Sequence, residues 1–133
     1  MSQIKLFAMG IMFAAISSGT AVAGGSDMCG HDGVLNRIQA RFTYTAAHYL
    51  NSDIGISDIQ RIQENRLVTK GKSQNVERHY CQARAVMSDG KKRDLWYVVE
   101  NPWGYAGVGD GVTYCVSGLD PLRLHGRFCM SLR

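Results

Sequence analysis

Four cysteines constrain the fold of this chain more than any other sequence feature. They are Cys29, Cys81, Cys115 and Cys129, and the first 28 of the 133 residues contain none. No two of them have the spacing of a Cys-x-x-Cys metal or redox motif. If they pair, they join segments that are far apart in the sequence, and the fold must bring those segments into contact. Three pairings are possible.

The N-terminal residues indicate where such bridges would form. A single positive charge at Lys5 precedes the apolar run Leu6 to Ile16, and a stretch of small residues then ends at Ala23. This pattern is typical of a cleaved secretory signal peptide, and the apolar run is too short for a membrane anchor of about 20 residues. We therefore predict a signal peptide over residues 1–23 and cleavage after Ala23. We also predict a periplasmic or secreted location, with no membrane span after cleavage.

Export predicts two disulfides, because they persist in oxidising compartments. The turn-rich residues between Cys115 and Cys129 favour a bridge between these two, which leaves Cys29 to pair with Cys81. A closed loop of about 15 residues stabilises a domain by roughly 3 kcal/mol. The other two pairings stay open, since spacing alone does not decide among them.

Residues 24–133 predict one small domain that begins with a helix. From Val34 to Leu50 apolar side chains recur every three or four residues, and Asp32 precedes them as the predicted N-cap. Strand patterns follow. Val76 to Met87 alternates in polarity, an Asp-Gly turn comes next, and Leu95 to Val99 returns, so we predict a β-hairpin with the small apolar side chains of its first strand against the helix.

Three further segments complete the predicted sheet. Val112 to Val116 alternates as a strand, Arg127 to Leu132 is predicted as the last strand, and Ser57 to Glu64 is either a helical turn or a bulged strand. The sequence therefore predicts an α+β domain in which a curved antiparallel sheet of three to five strands packs on one helix. Cystatin-like and NTF2-like folds share this plan, an analogy of architecture that carries no function.

Two Cys-His pairs offer a metal site as an alternative to the bridges. Cys29 and His31 are two residues apart, as are His79 and Cys81. Residues two apart in a strand point to the same face, and sulfur with imidazole suits copper(I) or zinc. This interpretation requires reduced thiols, so the disulfide prediction opposes it.

The glycine-rich connection from Asn101 to Gly111 carries two large aromatic residues, Trp103 and Tyr105. Rigid aromatic side chains on a loop are typical anchors for a protein partner, so both are candidate contact residues. They could instead fold back over the edge of the sheet. Nucleotide binding is not favoured, because a phosphate-binding glycine loop leads into a helix and this one leads into a strand.

Charge and motifs exclude other functions. The formal net charge is +4 and the basic residues are scattered apart from Lys91-Lys92-Arg93, so we predict no nucleic-acid partner. The chain has no Gly-x-Ser-x-Gly elbow and its four histidines are dispersed. We predict no catalytic residues, no cofactor and no enzymatic activity. A hydrolase stays open, since a spatial cluster is not visible in a sequence.

Three stretches, Arg78 to Gly90, Leu95 to Glu100 and Tyr114 to Pro121, resemble small exported proteins of Gram-negative bacteria that have no assigned activity. The resemblance implies a periplasmic setting and supplies no catalytic residues. We predict a non-enzymatic domain that binds a protein partner in the cell envelope. The alternatives are a copper- or zinc-binding protein and an inhibitor of a cell-wall hydrolase such as lysozyme, since such inhibitors are also small, disulfide-bonded and β-rich.

Overall fold

In the part of the chain that the structure describes, one helix packs on a four-stranded antiparallel sheet. The computed structural model describes residues 28–101 and 111–133. The predicted signal peptide over residues 1–23 and the candidate contact residues Trp103 and Tyr105 lie outside these ranges. The sheet has the order β1-β2-β3-β4, so every strand pairs with its neighbour in sequence. The elements are α1 (Asp32–Tyr49), β1 (Ile56–Val68), β2 (Glu77–Met87), β3 (Lys92–Asn101), β4 (Val112–Val116) and a 3-10 segment (Arg127–Leu132).

Helix α1 packs one apolar stripe on the sheet. Its buried residues recur at intervals of four and are Val34, Ile38, Phe42 and Ala46. The prediction of Asp32 as N-cap is wrong by one residue. His31 is the cap, and its Nδ1 accepts a hydrogen bond from the Gly33 N–H at 3.1 Å. Asp32 lies in the first turn, where the helix dipole favours an acidic side chain.

The predicted hairpin is confirmed as strands β2 and β3. The small apolar residues of β2 are buried and alternate with half-buried polar ones, as predicted. The turn closes with Gly90 at a φ of 82° and its N–H donating to the Met87 carbonyl at 2.9 Å. Strand β3 extends beyond the predicted limits at both ends, whereas β2 begins at Glu77, one residue after the predicted start, and ends at Met87 as predicted.

Strand β1 is a long, bulged strand at one edge of the sheet. Of the two structures predicted for Ser57 to Glu64, the bulged strand is the one observed. Its pairing with β2 shifts register between Gln60 and Gln63, where Arg61 has a φ of 53°. Bulges of this kind protect an edge strand from pairing with another chain.

The prediction of a last strand over Arg127 to Leu132 is wrong. This segment forms a 3-10 turn in which Phe128 and Cys129 have φ values of 51° and 58°, which no strand can accommodate. The bond from Cys129 to Cys115 keeps the turn next to β4, and Leu132 packs with Val98 in a small second core on the outer face of the sheet.

Two disulfides link the fold, Cys29 with Cys81 and Cys115 with Cys129, the pairing that the sequence favoured. The first lies in the main core with both residues fully buried. The Tyr97 hydroxyl donates a buried hydrogen bond of 2.6 Å to the Cys29 carbonyl beside it. This disulfide therefore attaches the chain entering α1 to the middle of the sheet. In the described residues, no helix is both long and apolar enough to cross a membrane.

Candidate binding groove

A groove of about 230 Å³ runs along the open edge of β4. We call it the β4 groove. One wall is helix α1, and the other is formed by residues 119–125 of the chain after β4. We call the whole stretch after β4, residues 117–133, the C-terminal segment. The residues lining these two walls and the β4 edge between them include Arg41, Thr45, Tyr49, Thr113, Tyr114, Val116, Leu119, Leu122 and Leu124.

Polar contacts fix the helix against β4. The Arg41 guanidinium donates to the Val112 carbonyl at 2.8 Å and lies 5.6 Å from the centre of the Tyr114 ring. One turn later, the Thr45 hydroxyl is 3.3 Å from the Tyr114 hydroxyl. The helix therefore follows β4 in the same direction, and its Arg41 end corresponds to the start of the strand.

The rim of the β4 groove is apolar and exposed. Leu122 is 62% exposed, Leu124 73% and, on the helix side, Tyr49 57%. Phe128 and Met130, which do not line the groove, are also exposed, so the C-terminal segment carries four of the seven large exposed hydrophobic residues in the described part of the chain. Grouped apolar side chains on a protein surface are typical of a binding site.

The C-terminal segment is held in shape by a covalent bond and by its own turns. The disulfide fixes Cys129 to Cys115 of β4. The Asp120 carboxylate accepts from the His125 N–H at 3.4 Å, and the Arg123 N–H donates to the Asp120 carbonyl at 3.2 Å. Arg123 also has a φ of 48°, a conformation that non-glycine residues rarely adopt. Strained backbone of this kind is concentrated at functional sites.

The outer edge of β4 presents the backbone N–H and C=O of Tyr114 to the groove. Gly111 accepts from Glu100 at 2.7 Å and Ser117 donates to Asp94 at 2.9 Å, which fixes the alternation of the antiparallel ladder. Thr113 then directs its peptide groups toward β3, and Tyr114 directs its N–H and C=O away from it. No described residue hydrogen-bonds to these two Tyr114 groups.

The carbonyls on either side of Tyr114 are already used. That of Val112 accepts from Arg41, and that of Val116 accepts from the Leu119 N–H at 3.0 Å. The open edge of β4 is therefore short and centred on Tyr114.

The predicted copper or zinc ligands do not assemble in this structure. Cys29 and Cys81 are bonded to each other, so neither sulfur is a thiolate, and the His31 ring caps α1. Within residues 28–101 and 111–133, no group of three histidine, cysteine or acidic side chains could hold a metal ion.

His79 instead lies between two carboxylates that sequence reasoning missed. Its Nδ1 is 2.6 Å from the Glu64 Oε2, and its Nε2 is 2.9 Å from the Glu77 Oε1. Both ring nitrogens of the buried His79 are thus within hydrogen-bond distance of a carboxylate oxygen, one from β1 and one from β2. The cluster ties β1 to β2. Both ring nitrogens are occupied by these contacts within the fold.

The candidate contact residues Trp103 and Tyr105 lie outside the described residues, between Asn101 and Gly111. Sequence reasoning missed Leu122 and Leu124, although a signal was present. Two leucines in a turn-rich stretch between paired cysteines have no strand or helix pattern that would bury them.

Comparisons of the chain with protein-family models, with curated proteins and with solved structures find no match.

Proposed function

We propose that this chain is an exported, non-enzymatic domain that binds another protein in the cell envelope, and that the β4 groove is its contact surface. The observation that carries the proposal is the rim of exposed apolar side chains on a segment that a disulfide fixes to β4. A covalent link keeps this shape without requiring the leucines to be buried.

Burial of that rim by a partner would drive binding. Complete burial of one leucine side chain contributes about 1.5–3 kcal/mol. Leu122 and Leu124 are the largest contributors by exposure, and Tyr49 across the groove supplies an aromatic residue of the type enriched at interaction hot spots. The surface therefore has apolar anchors on both walls.

The size of the groove favours a protein segment over a metabolite. Small-molecule sites have volumes of roughly 300–1,000 Å³, and this groove has about 230 Å³. Polar groups on its walls, such as Arg41 and Thr45, already make internal hydrogen bonds. A surface of this kind suits a few side chains of a larger partner.

We also propose a periplasmic or secreted location for the domain. Two disulfides in a small domain suit an oxidising compartment. Together with the predicted signal peptide over residues 1–23 and the resemblance to exported proteins of Gram-negative bacteria, they support a periplasmic or secreted location. The cystatin-like or NTF2-like plan is likewise proposed from the helix-then-meander order, and no function is drawn from it.

Site-specific crosslinking tests the proposal. A photo-reactive amino acid replaces Leu124 in the full-length chain expressed in its native cells, and a matched variant carries it at Lys72, an exposed residue of the β1–β2 connection. We expect protein adducts of defined mass from position 124 and none from position 72. Adding Leu122→Asp should abolish the adducts without lowering the thermal midpoint.

Adducts at neither position, or equally at both, would contradict a binding surface at the β4 groove. Retention of the adducts in the Leu122→Asp variant would contradict the role of the apolar rim.

A further inference from the structure

We propose that a second cavity, formed by the disulfide-closed loop from Cys115 to Cys129, binds a small organic anion at Arg123 and Arg127. We call it the loop cavity. The ligand is a carboxylate or a phosphate attached to an apolar group. This inference goes beyond the proposed function, because the occupant is a small molecule and its binding requires no protein partner.

The loop cavity has the size of a small-molecule site. Its volume is about 430 Å³, within the roughly 300–1,000 Å³ that such sites occupy. The β4 groove, at about 230 Å³, is smaller. Every residue that lines the loop cavity lies between Cys115 and Cys129, so this one loop forms the whole site.

The backbone of the loop curves around the cavity. Both bonded cysteines line it, and so do all the residues of the C-terminal segment with a positive φ, between 48° and 79°. These residues are Gly118, Arg123, Gly126, Phe128 and Cys129. Positive φ values are typical of tight turns, in which the chain changes direction sharply. The shape of the cavity is therefore a property of the backbone and of the disulfide.

Two arginines in this cavity have no partner elsewhere in the fold. Arg123 and Arg127 both line the cavity and are exposed. Among the described residues, no hydrogen bond, ion pair or ring contact holds either guanidinium. Arg133, by contrast, donates from two of its nitrogens to the Phe128 carbonyl at 3.0 and 2.7 Å. The donors of Arg123 and Arg127 are thus available to a ligand.

The charge of the lining favours an anion. Asp120 is the one acidic residue that lines the loop cavity, and its Oδ2 accepts from the His125 N–H at 3.4 Å. Two arginines against one aspartate give the lining a net positive charge, which repels a cation. Guanidinium groups bind carboxylates and phosphates with paired, charge-assisted hydrogen bonds. These two classes of anion are therefore the ones that the site can recognise.

Phe128 indicates what the anion is attached to. It lines the loop cavity and is 66% exposed, and Pro121 adds a second apolar residue to the lining. An apolar group on the ligand removes part of this surface from water, which stabilises the complex. A bare inorganic anion leaves it exposed. An aromatic or alkyl carboxylate or phosphate therefore fits the site better than an inorganic ion.

An NMR titration of the purified protein, with both disulfides formed, tests the ligand class. The probes are phenyl phosphate and benzoate, with benzyl alcohol as the neutral control and inorganic phosphate as the control without a ring. We expect the two aromatic anions to shift the Nε–H signals of Arg123 and Arg127 in a saturable way. Binding should be at least tenfold weaker for benzyl alcohol and about tenfold weaker for inorganic phosphate.

Arginine substitutions test the site from the side of the protein. Arg123→Gln and Arg127→Gln each remove a guanidinium from the cavity. Arg61→Gln is the matched control for Arg123→Gln, because Arg61 is also exposed, has a φ of 53° and lies on the opposite edge strand, β1. We expect each cavity variant to bind phenyl phosphate about tenfold more weakly. Arg61→Gln should bind it as the unmodified protein does, and all three should keep similar thermal midpoints.

The outcomes decide the inference independently of the partner. Binding of only one of the two aromatic anions would support it and identify the anion as a carboxylate or a phosphate. Equal binding of phenyl phosphate and benzyl alcohol, or equal losses in Arg123→Gln and Arg61→Gln, would overturn it. Shifts at Arg61 as large as those at Arg123 would also overturn it, because they would show a general attraction of anions to arginine. Crosslinks from Leu124 without any anion binding would leave the proposed function in place.

Discussion

The two disulfides join the sheet to regions of opposite character. Cys29 and Cys81 are fully buried in the main core, where the Tyr97 hydroxyl bonds to the Cys29 carbonyl. Cys115 and Cys129 are also buried, but the segment that they hold carries Leu124 and other large hydrophobic side chains at exposures of 60% or more. The same bond therefore completes a core in one region and maintains an exposed surface in the other.

The two disulfides therefore contribute differently, one mainly to the stability of the domain and the other mainly to the shape of the C-terminal segment. In the core region, burial and the disulfide act together, so the bridge mainly adds to the free energy of unfolding. In the C-terminal segment few apolar side chains are buried, and the backbone has left-handed residues at Arg123, Phe128 and Cys129. There the bridge is needed to keep a conformation that packing alone would not maintain.

The largest expected effect comes from removing the core bridge. Cys29 and Cys81 are 52 residues apart, so loss of the link should lower the free energy of unfolding by about 4 kcal/mol from chain entropy. The double variant Cys29→Ala/Cys81→Ala should show this in urea unfolding followed by circular dichroism. A loss smaller than that of the corresponding Cys115/Cys129 variant would contradict the assignment of the main stabilising role to this bridge.

Removing the C-terminal bridge should have a smaller effect on stability and a larger one on shape. Its cysteines are 14 residues apart, and the Cys115→Ala/Cys129→Ala variant should lose about 3 kcal/mol. Hydrogen exchange should become faster over residues 117–133 while the β2–β3 hairpin keeps its protection. The crosslinks from Leu124 should also disappear. Unchanged exchange in the C-terminal segment would show that its own turns suffice.

The same contrast explains which parts of the fold the sequence predicts. The β2–β3 hairpin has an alternating strand, an Asp-Gly turn and a returning strand within 26 consecutive positions from Val76 to Asn101, so local signals decide it. Helix α1 is likewise predicted from a local signal, the regular spacing of its apolar residues. Within the C-terminal segment, the strand prediction for Arg127 to Leu132 is wrong because the conformation there depends on a covalent link to β4 and on left-handed backbone at Phe128 and Cys129, neither of which a local pattern shows.

The β4 groove could not be predicted for a related reason. Its contacts join residues that are distant in sequence, such as Arg41 and the Val112 carbonyl at a separation of 71. The direction in which the Tyr114 N–H and C=O point depends on the register between β4 and β3. An alternation of apolar and polar residues does not specify that register. The sequence predicts strand β4 and the cysteine within it. Which backbone groups of β4 face outward follows only from its pairing with β3.

The smallest expected effect tests whether the C-terminal segment is strained. Phe128 is 66% exposed and has a φ of 51°, which costs a non-glycine residue about 1–2 kcal/mol. Phe128→Gly removes that strain but adds about 0.5–1 kcal/mol of chain entropy to the cost of folding. The net result should be a gain of up to about 1 kcal/mol, measured by urea unfolding.

Met130→Gly is the matched control for this strain. Met130 is similarly exposed, at 60%, and is not among the residues with positive φ. Glycine there brings only the entropic cost, so the variant should lose about 0.5–1 kcal/mol. If both glycine variants are destabilised equally, the backbone at Phe128 is not strained. The disulfide would then hold a segment already at its preferred conformation, and the two bridges would differ only in what they bury.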